Sequence, residues 1–374
     1  MRKLFILLLL FALFKHGTLQ KNGRKKITAE KNSTKKVIPV PRVFKGFFPT
    51  ESEFQGTQAP NLTLSPTLQS ISDKAVGYLK GPLSTKVIPL IYMMLVIFGI
   101  PGNITVLCLL ITKIRKVSSA ILYCSLAVSD LFLLVSLIFK AHYHLHGNHW
   151  VLGEAACRVV TACFYGNLYC SALTLACIAV KRYMAVVHPF MYKRLPKVRC
   201  TAWVVLAIWG VFGASIVPEL LVRQSFWVPQ LNRTTCHDVM PLDSNSHAFL
   251  LFSNLILTVL CLLVPMVVTV VCFIQILRAL NQSHHDWAMY IRSCSLVFTV
   301  FMVSFLPAGV LHFLHYVQLF VNGTESLYVY FNMAVCLCCL HACLDPFFFV
   351  LMSKTASSKL YLLTFKGKKL SISI

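Results

Sequence analysis

The chain has 374 residues, of which 57% are hydrophobic and 13% are charged. Soluble globular proteins carry about 25% charged residues, so the composition excludes a set of ordinary soluble domains and indicates that lipid surrounds most of the chain. Lys and Arg number 35 against 12 Asp and Glu, which gives a net charge of +23. Such an imbalance is typical of nucleic-acid binding, of an anionic membrane face or of a basic segment with its own purpose.

The first twenty residues have the pattern of a secretory signal. A basic start, Met1–Lys3, precedes an apolar run, Leu4–Phe14. At about 1.5 Å per residue this run is too short to cross ~30 Å of hydrocarbon. We therefore predict a cleaved signal peptide over residues 1–20 rather than a membrane anchor, and an extracellular start for the chain that follows.

Residues 21–86 show no periodicity, and their composition is typical of a protease substrate. A basic, polar tract leads to Pro41-Arg42, and an acidic and aromatic patch follows at Glu51, Glu53 and Phe54. A Pro-Arg pair in a disordered, exposed segment suits a trypsin-like protease, whose acidic pocket binds Arg. The acidic patch is suited to dock on a basic surface of that protease. We predict a propeptide over 21–42 and an extracellular segment over 43–86.

Seven apolar stretches are long enough to span a bilayer, and we number them helices 1 to 7. They cover 87–112, 119–145, 155–187, 200–222, 248–277, 288–316 and 326–352, so the seven-transmembrane domain is 87–352 and the tail is 353–374. The segments on one face, 113–118, 181–199, 278–292 and the tail, hold sixteen Lys or Arg and one acid. By the positive-inside rule this face is cytoplasmic. The charge thus marks topology and a removable propeptide, which argues against nucleic acid as a partner.

Two further patterns agree with this topology. Four Asn-x-Ser/Thr sequons fall on the predicted outside, where glycosylation occurs: Asn32, Asn61, Asn232 and Asn322. Among fifteen cysteines, only Cys157 and Cys236 take outward-facing positions after the signal. The oxidising exterior allows a disulfide between them, which would tie the outer end of helix 3 to the long loop 223–247. We predict a multi-pass protein of the plasma membrane with an extracellular N-terminus.

Each span carries a notable polar or proline-containing motif, and the seven together resemble the rhodopsin-like G-protein-coupled receptors. In chain order these motifs are Gly102-Asn103, Leu126 to Asp130, Lys181-Arg182-Tyr183, Trp209, Pro265, Phe305 to Pro307, and Asp345-Pro346 to Phe349. The resemblance implies an all-α membrane protein, a seven-transmembrane bundle of rhodopsin-like type with a disordered extracellular N-terminal segment. It also implies a heterotrimeric G protein as partner and a switch that uses Arg182, Pro307, Asp345 and Pro346.

The N-terminal arrangement, with Cys236 to Val239 and His146 to Trp150, resembles the protease-activated receptor family within that class. The resemblance implies cleavage between Arg42 and Val43 by thrombin or a similar trypsin-like protease, with Glu51, Glu53 and Phe54 on the protease's anion-binding exosite. The new N-terminus would be a tethered ligand made of Val43, Phe44, Lys45, Gly46, Phe47 and Phe48. It would bind the loop that carries His237 and Asp238, with Asp238 as partner of the new ammonium or of Lys45.

Asp130 and Asp345 are acids near mid-membrane, where an ionisable group requires a partner or water. In the resembling family, the counterparts of Asn103, Asp130, Ser171 and Asp345 share a hydrated, often sodium-binding, cluster. Here His341 stands where the family commonly has a small amide, which argues against sodium. A sodium cluster and a hydrogen-bonded structural network therefore both stay open, and we expect no other metal and no cofactor.

Three departures from the family pattern bear on signalling: Lys181 stands where the family has Asp, Phe349 replaces a Tyr, and the tail has no Cys. They leave open whether the chain signals alone or presents thrombin to another protease-activated receptor beside it. A peptide receptor that needs no cleavage is a further alternative. A transporter is disfavoured because the two halves show no corresponding repeats. An intramembrane enzyme is disfavoured because the His-Glu-x-x-His and Gly-x-Ser-x-Gly motifs are absent, and we predict no enzyme activity. Four histidines between His142 and His149 are expected to be solvated loop residues rather than a zinc site.

Overall fold

A computed structural model describes residues 44–47, 70–111, 117–241, 253–282, 288–322 and 327–350. Within these ranges, seven helices are long and apolar enough to cross a membrane, and the predicted seven-helix architecture is confirmed. The bounds of helices 1 to 7 are Ile88–Leu110, Ser118–Leu145, Gly153–Val187, Lys197–Leu221, Ser253–Asn281, Ala288–Asn322 and Tyr328–Val350.

The bundle has the polarity expected for a lipid solvent. Large apolar side chains such as Leu90, Phe98 and Trp203 are about two-thirds exposed on its outer surface. Polar side chains such as Asn103 and Asp130 are almost fully buried between the helices. Moving Leu or Phe from lipid into the bundle gains no hydrophobic free energy, whereas a carboxylate exposed to lipid is costly. Each helix therefore turns its polar positions inward.

Helix 3 packs against helices 2, 4 and 5 and forms the centre of the bundle. Close approach to helix 4 depends on Gly166, since a Cβ there would lie 2.7 Å from the Phe212 ring and 2.8 Å from Ile216. Small residues at such crossings let two helix backbones approach, and van der Waals packing then stabilises the pair in lipid.

Prolines interrupt several helices without breaking them. Pro265 of helix 5 follows a π-helical turn, Val259–Leu263. Proline lacks the N–H that would close the preceding turn, so the local helix loosens there. Thr269 donates its hydroxyl to the Pro265 carbonyl at 2.8 Å, which gives this hydroxyl a partner in the absence of water.

The extracellular side carries strands that fix the long loop after helix 4. Two antiparallel strands, β3 (Ser225–Val228) and β4 (Arg233–Cys236), form a hairpin, with Ser225 opposite Cys236. Asn232 closes its turn with a left-handed φ of 53°, a conformation that Asn tolerates well. The predicted Cys157–Cys236 disulfide is present and ties the hairpin to the outer end of helix 3.

A second sheet joins two strands before helix 1 to one strand after β4, and a short helix precedes helix 1. The sheet has the order β2-β1-β5, with β1 at Phe44–Phe47, β2 at Ser70–Ile71 and β5 at Val239–Pro241. A helix at Asp73–Lys80, here called the stalk helix, follows β2; Ser72 caps it by accepting a hydrogen bond from Ala75 N at 3.2 Å. The stalk helix was not predicted, because its eight residues are too few to show a clear helical period.

Candidate ligand-binding site and membrane switch

The candidate ligand segment lies within the extracellular sheet. β1 runs parallel to β5, with Phe44 opposite Val239 and Gly46 opposite Pro241. On its other side β1 is antiparallel to β2. Three of the six predicted ligand residues, Phe44, Lys45 and Gly46, therefore pair with the segment that directly follows Asp238, and Phe47 pairs with Ser70 of β2.

Asp238 is a buried carboxylate held by two phenols. Only 8% of the residue is exposed. Tyr143 at the end of helix 2 donates its hydroxyl to Oδ2 at 2.6 Å, and Tyr328 at the start of helix 7 donates to Oδ1 at 2.8 Å. Asp238 is thus not a solvated loop carboxylate in this structure. Hydrogen bonds to an ionised acceptor are among the stronger ones, so Asp238 fastens the loop to two membrane helices.

Neither tyrosine was found from the sequence. A Tyr at the end of a membrane helix is common, since its ring suits the membrane interface and its hydroxyl reaches water. Tyr143 and Tyr328 are 185 positions apart in the sequence and share no motif. Only the pairing of both with one carboxylate distinguishes them, and that requires the fold.

His237 is also buried, at 2% exposure, with a left-handed φ of 69°. Its Nδ1 pairs with Gln224 Oε1, and its ring lies 5.0 Å from that of Tyr165 on helix 3. Gln224 in turn donates from Nε2 to Glu219 Oε2 at 2.7 Å. The predicted loop residues His237 and Asp238 thus lie together, and each has partners in the bundle.

A second carboxylate holds the near end of the same loop. Glu154, in the first turn of helix 3, accepts the backbone N–H groups of Gln224 and Ser225, both at 2.8 Å. Arg158 binds the same carboxylate at 2.6 Å from its Nε. This clasp, the disulfide and Asp238 therefore all tie the hairpin loop to the bundle.

Below the loop, a small cavity opens between helices 1, 2, 3 and 7. Much of its lining is polar: Tyr78, Tyr92, Lys140, His144, Tyr165, Asp238 and Asn332. The ammonium of Lys140 lies 4.5 Å from the centre of the Phe164 ring, a distance typical of a cation–π contact. The sequence pattern predicted none of this, because the lining residues come from segments far apart in the chain.

The four clustered histidines differ in environment. His144 is buried and its Nδ1 lies 2.6 Å from Asn148 Oδ1, so the expectation of a solvated residue is wrong for it. His142 and His146 are exposed, with ring centres 4.1 Å apart. His149 accepts a hydrogen bond from Thr234 N at 3.2 Å; burial, and then the charge of Arg233, lower its pKa below the usual value.

At mid-membrane, the predicted polar cluster forms around Asp130. Ser171 donates to Asp130 Oδ1 at 3.3 Å, and His341 Nε2 lies 3.4 Å from the same oxygen. Ligand atoms of Asp130, His341 and Asp345 all lie within 4.8 Å of one another. Asn103 makes its contacts elsewhere, donating to Ala342 O at 2.8 Å. The cluster therefore offers the oxygen donors a sodium ion uses, with the imidazole of His341 against one of them.

The cytoplasmic end shows where the family motif residues lie. Arg182 donates from Nη2 to Tyr123 Oη at 2.7 Å, and Lys181 donates to Ser118 Oγ at 2.7 Å. The Tyr123 ring makes an edge contact with Phe349, 5.2 Å between centres. Lys181 and Arg182 thus both bind hydroxyls of helix 2, and Arg182 is linked to helix 7 through the ring of Tyr123.

The other switch residues lie at mid-bundle. Phe305, two residues before Pro307, is fully buried with its ring 4.8 Å from that of His341. Pro346, next to Asp345, packs so near Gly102 of helix 1 that a Cβ there would lie 3.2 Å from its Cγ.

Several predicted residues lie outside the described ranges: Asn32, Arg42, Val43, Phe48, Glu51, Glu53, Phe54 and Asn61, together with the signal peptide and the cytoplasmic tail. Asn232 is exposed at the hairpin turn, as glycosylation requires. Asn322 is the last residue of helix 6.

The chain is similar to known receptors over most of its length. Residues 102–349 match the family model described as 7 transmembrane receptor (rhodopsin family). The chain is 37% identical to Proteinase-activated receptor 3 of Homo sapiens, over 79% of this chain and 79% of that protein. It is 38% identical to Proteinase-activated receptor 3 of Bos taurus, over 78% of each. It is 33% identical to Proteinase-activated receptor 2 of Mus musculus, over 76% and 73%.

Proposed function

Because the chain belongs to the protease-activated receptors of the rhodopsin family, we propose that cleavage after Arg42 activates it by exposing a tethered ligand that begins at Val43. It is a seven-pass receptor of the plasma membrane and not an enzyme. The observation that carries the proposal is the parallel pairing of Phe44–Phe47 with Val239–Pro241. The activating protease is thrombin or a trypsin-like relative, as the Pro41-Arg42 site and the acidic patch suggest.

The change that cleavage makes is electrostatic. In the intact chain, residue 43 is an internal peptide; after cleavage it carries an ammonium, one residue before β1. Phe44 lies opposite Val239, the neighbour of Asp238, so a new cation at residue 43 comes within reach of that carboxylate. An ammonium beside a buried, phenol-bound carboxylate competes with the two hydroxyls for its oxygens.

Release of a phenol transmits binding to the bundle. Tyr328 is the first residue of helix 7, and its hydrogen bond to Asp238 holds the outer end of that helix. When the ammonium binds Oδ1 in place of the Tyr328 hydroxyl, helix 7 loses this hydrogen bond to the loop. The same helix carries His341 and Asp345, so its movement reaches the mid-membrane cluster.

Binding of the protease uses the acidic segment. Glu51, Glu53 and Phe54 follow the cleavage site closely enough to bind a basic exosite while Arg42 fills the primary pocket. Two binding sites on one segment act together, since binding at one raises the local concentration of the other.

Downstream, the family implies coupling to a heterotrimeric G protein at the cytoplasmic face. One observation favours a second role, in which the chain presents thrombin to another protease-activated receptor. Lys181 donates to the Ser118 hydroxyl and Arg182 to the Tyr123 hydroxyl. The restraint that an acid at position 181 gives in the family is therefore replaced by hydroxyl contacts.

The cleavage step is tested with an N-terminal epitope on cells that display the receptor. Thrombin should remove the epitope from the wild type and from Lys36→Ala, a matched change within the propeptide, but not from Arg42→Ala. Equal loss from Arg42→Ala would refute the assigned site. Replacing Glu51 and Glu53 by Ala should raise the thrombin concentration needed for cleavage; an unchanged dose–response removes the exosite from the proposal.

Signalling is tested separately. Calcium or inositol-phosphate responses are measured for the receptor alone and beside a second protease-activated receptor. A response that appears alone and requires Arg42 supports direct coupling. A response that appears only beside the second receptor supports the presenting role.

A further inference from the structure

We propose that the stalk, residues 70–80, is half of the ligand-binding site: β2 binds the edge of the tethered strand that β5 leaves free. The ligand is then recognised as the central strand of a three-stranded sheet. This rests on the proposed function, in which β1 is the ligand, and it adds a binding surface outside the loop and the helical bundle.

The first argument is the position of β1. Gly46 lies opposite Pro241 on one side and opposite Ile71 on the other, and Phe47 lies opposite Ser70. A strand with a partner on both edges satisfies N–H and C=O groups that a two-stranded pair leaves open to solvent. Two strands alone are marginally stable in water, so β2 is the part that makes a four-residue ligand strand persist.

The second argument is that β2 is already fixed to the receptor. Ile71 is 5% exposed, and its N–H donates to Gln230 Oε1 of the β3–β4 turn at 2.8 Å. The N–H of Ile71 thus binds Gln230. The Ser70 N–H is therefore the backbone donor of β2 that can bind β1. The hydrogen bond to Gln230 does not involve β1, so the receptor itself orders the edge, and ligand binding loses less conformational entropy.

The stalk helix anchors β2 to the bundle from the other direction. Ala75 and Leu79 are fully buried. The Leu79 carbonyl accepts a hydrogen bond from Asn148 Nδ2 at 2.6 Å, and Tyr78 Oη accepts one from Asn332 Nδ2 at 3.2 Å. Asn332 belongs to helix 7, so the stalk contacts the same helix that Tyr328 links to Asp238.

The stalk also shortens the tether. Residues 48–69 alone join Phe47 to its partner Ser70, since the chain from β2 onward belongs to the receptor. A short linker whose ends meet gives the two strands an effective concentration in the range of about 1 mM. Much of the ligand's binding is through backbone groups, as in other cases of strand addition, so individual side chains need contribute little.

Disulfide trapping tests the geometry without requiring cleavage or signalling. Two double variants place cysteines at register pairs, Gly46→Cys with Ile71→Cys and Phe47→Cys with Ser70→Cys. Paired residues of antiparallel strands have Cα atoms about 4.5–5.5 Å apart, within disulfide range. Phe47→Cys with Lys74→Cys, an exposed stalk-helix position, is the matched control. A site for a sequence-specific protease is placed within residues 55–62.

After mild oxidation and digestion at that site, the N-terminal fragment should stay attached to the receptor under non-reducing conditions in at least one register pair. It should be released from the control and, after reduction, from all variants. Release from both register pairs to the same extent as from the control overturns the proposal. This outcome differs from failure of the proposed function, which shows as cleavage or activation that does not depend on Arg42.

A binding measurement tests whether β2 serves the ligand. A labelled peptide with the sequence of residues 43–48 is titrated onto surface-expressed receptor that lacks residues 1–47. Ser70→Pro removes the N–H proposed to bind the ligand and should weaken binding by about tenfold, the effect of losing one hydrogen bond. Lys74→Ala, matched for surface expression, should bind as the unaltered receptor. Equal peptide affinity for Ser70→Pro and Lys74→Ala overturns the role of β2.

Discussion

The two phenols on Asp238 allow a quantitative test of how the loop is held. Tyr328→Phe removes one hydroxyl at 2.8 Å from Oδ1 and leaves the ring, so no cavity forms. A hydrogen bond to a charged group contributes about 1.5–3 kcal/mol to stability. At about 2–4 °C per kcal/mol for a domain of this size, the unfolding midpoint should fall by about 3–12 °C. Tyr143→Phe, which removes the partner of Oδ2, should cost a similar amount.

The two losses should not be additive. After one change the buried carboxylate retains one phenol; after both it has lost the two hydroxyls that hold it, which carries a desolvation penalty beyond either single loss. The unfolding midpoint of the double variant should therefore fall by more than the sum of the decreases in the two single variants. In an Asp238→Asn background, where no charge needs partners, Tyr328→Phe should cost only about 0.5–1.5 kcal/mol.

The assay is thermal unfolding of detergent-solubilised receptor with a thiol-reactive dye. Buried free cysteines such as Cys170 and Cys339 become reactive as the bundle opens. Tyr330→Phe is the matched control, since Tyr330 lies on the same helix and is 62% exposed. If Tyr328→Phe costs the same in the Asp238→Asn background as in the wild type, its hydroxyl does not act through Asp238 and the argument fails.

Three further outcomes are expected. His341→Asn removes the imidazole from beside Asp130 and gives an amide oxygen that suits a hard cation. The unfolding midpoint of this variant should therefore be higher in sodium chloride than in choline chloride. A midpoint that does not depend on sodium in either the wild type or the variant contradicts this. Cys236→Ser opens a loop with a sequence separation of 79, which costs about 4.5 kcal/mol on the chain-entropy estimate; surface expression should fall sharply, and expression at the wild-type level contradicts the structural role. Tyr123→Phe removes the hydroxyl that Arg182 binds and should raise basal nucleotide exchange on the G protein, whereas unchanged basal exchange excludes this contact as a restraint.

The sequence predicts the bundle well because its signals are local. Apolar runs of twenty residues and the charge of their flanks depend on neighbours along the chain, and the observed helices agree with them to within a few residues. The partners of Asp238 could not be predicted in this way. Tyr143, Asp238 and Tyr328 come from three segments far apart in the chain, and no spacing rule relates them. The role of the stalk helix could not be predicted for a related reason, since it is defined by contacts with Asn148 and Asn332.

Helix 7 makes contacts at the extracellular end, the middle and the cytoplasmic end of the bundle. At its outer end Tyr328 binds Asp238, and at mid-membrane His341 lies against Asp130. One turn beyond Asp345, Phe349 packs on Tyr123, which holds Arg182. A rigid helix that rotates or shifts would alter all three contacts together, whereas separate side-chain movements would alter them singly.

Position along one helix does not by itself establish coupling, which is a free energy shared between sites. The measurement is a double-mutant cycle on basal nucleotide exchange that combines Tyr328→Phe with Tyr123→Phe. These hydroxyls lie at opposite faces of the membrane and share no contact, so independent effects should add. If helix 7 moves as one body, the second change should have a smaller effect once the first has freed the helix. Additive effects would mean that the loop reaches the cytoplasmic face by another path, through helix 2 by way of Tyr143.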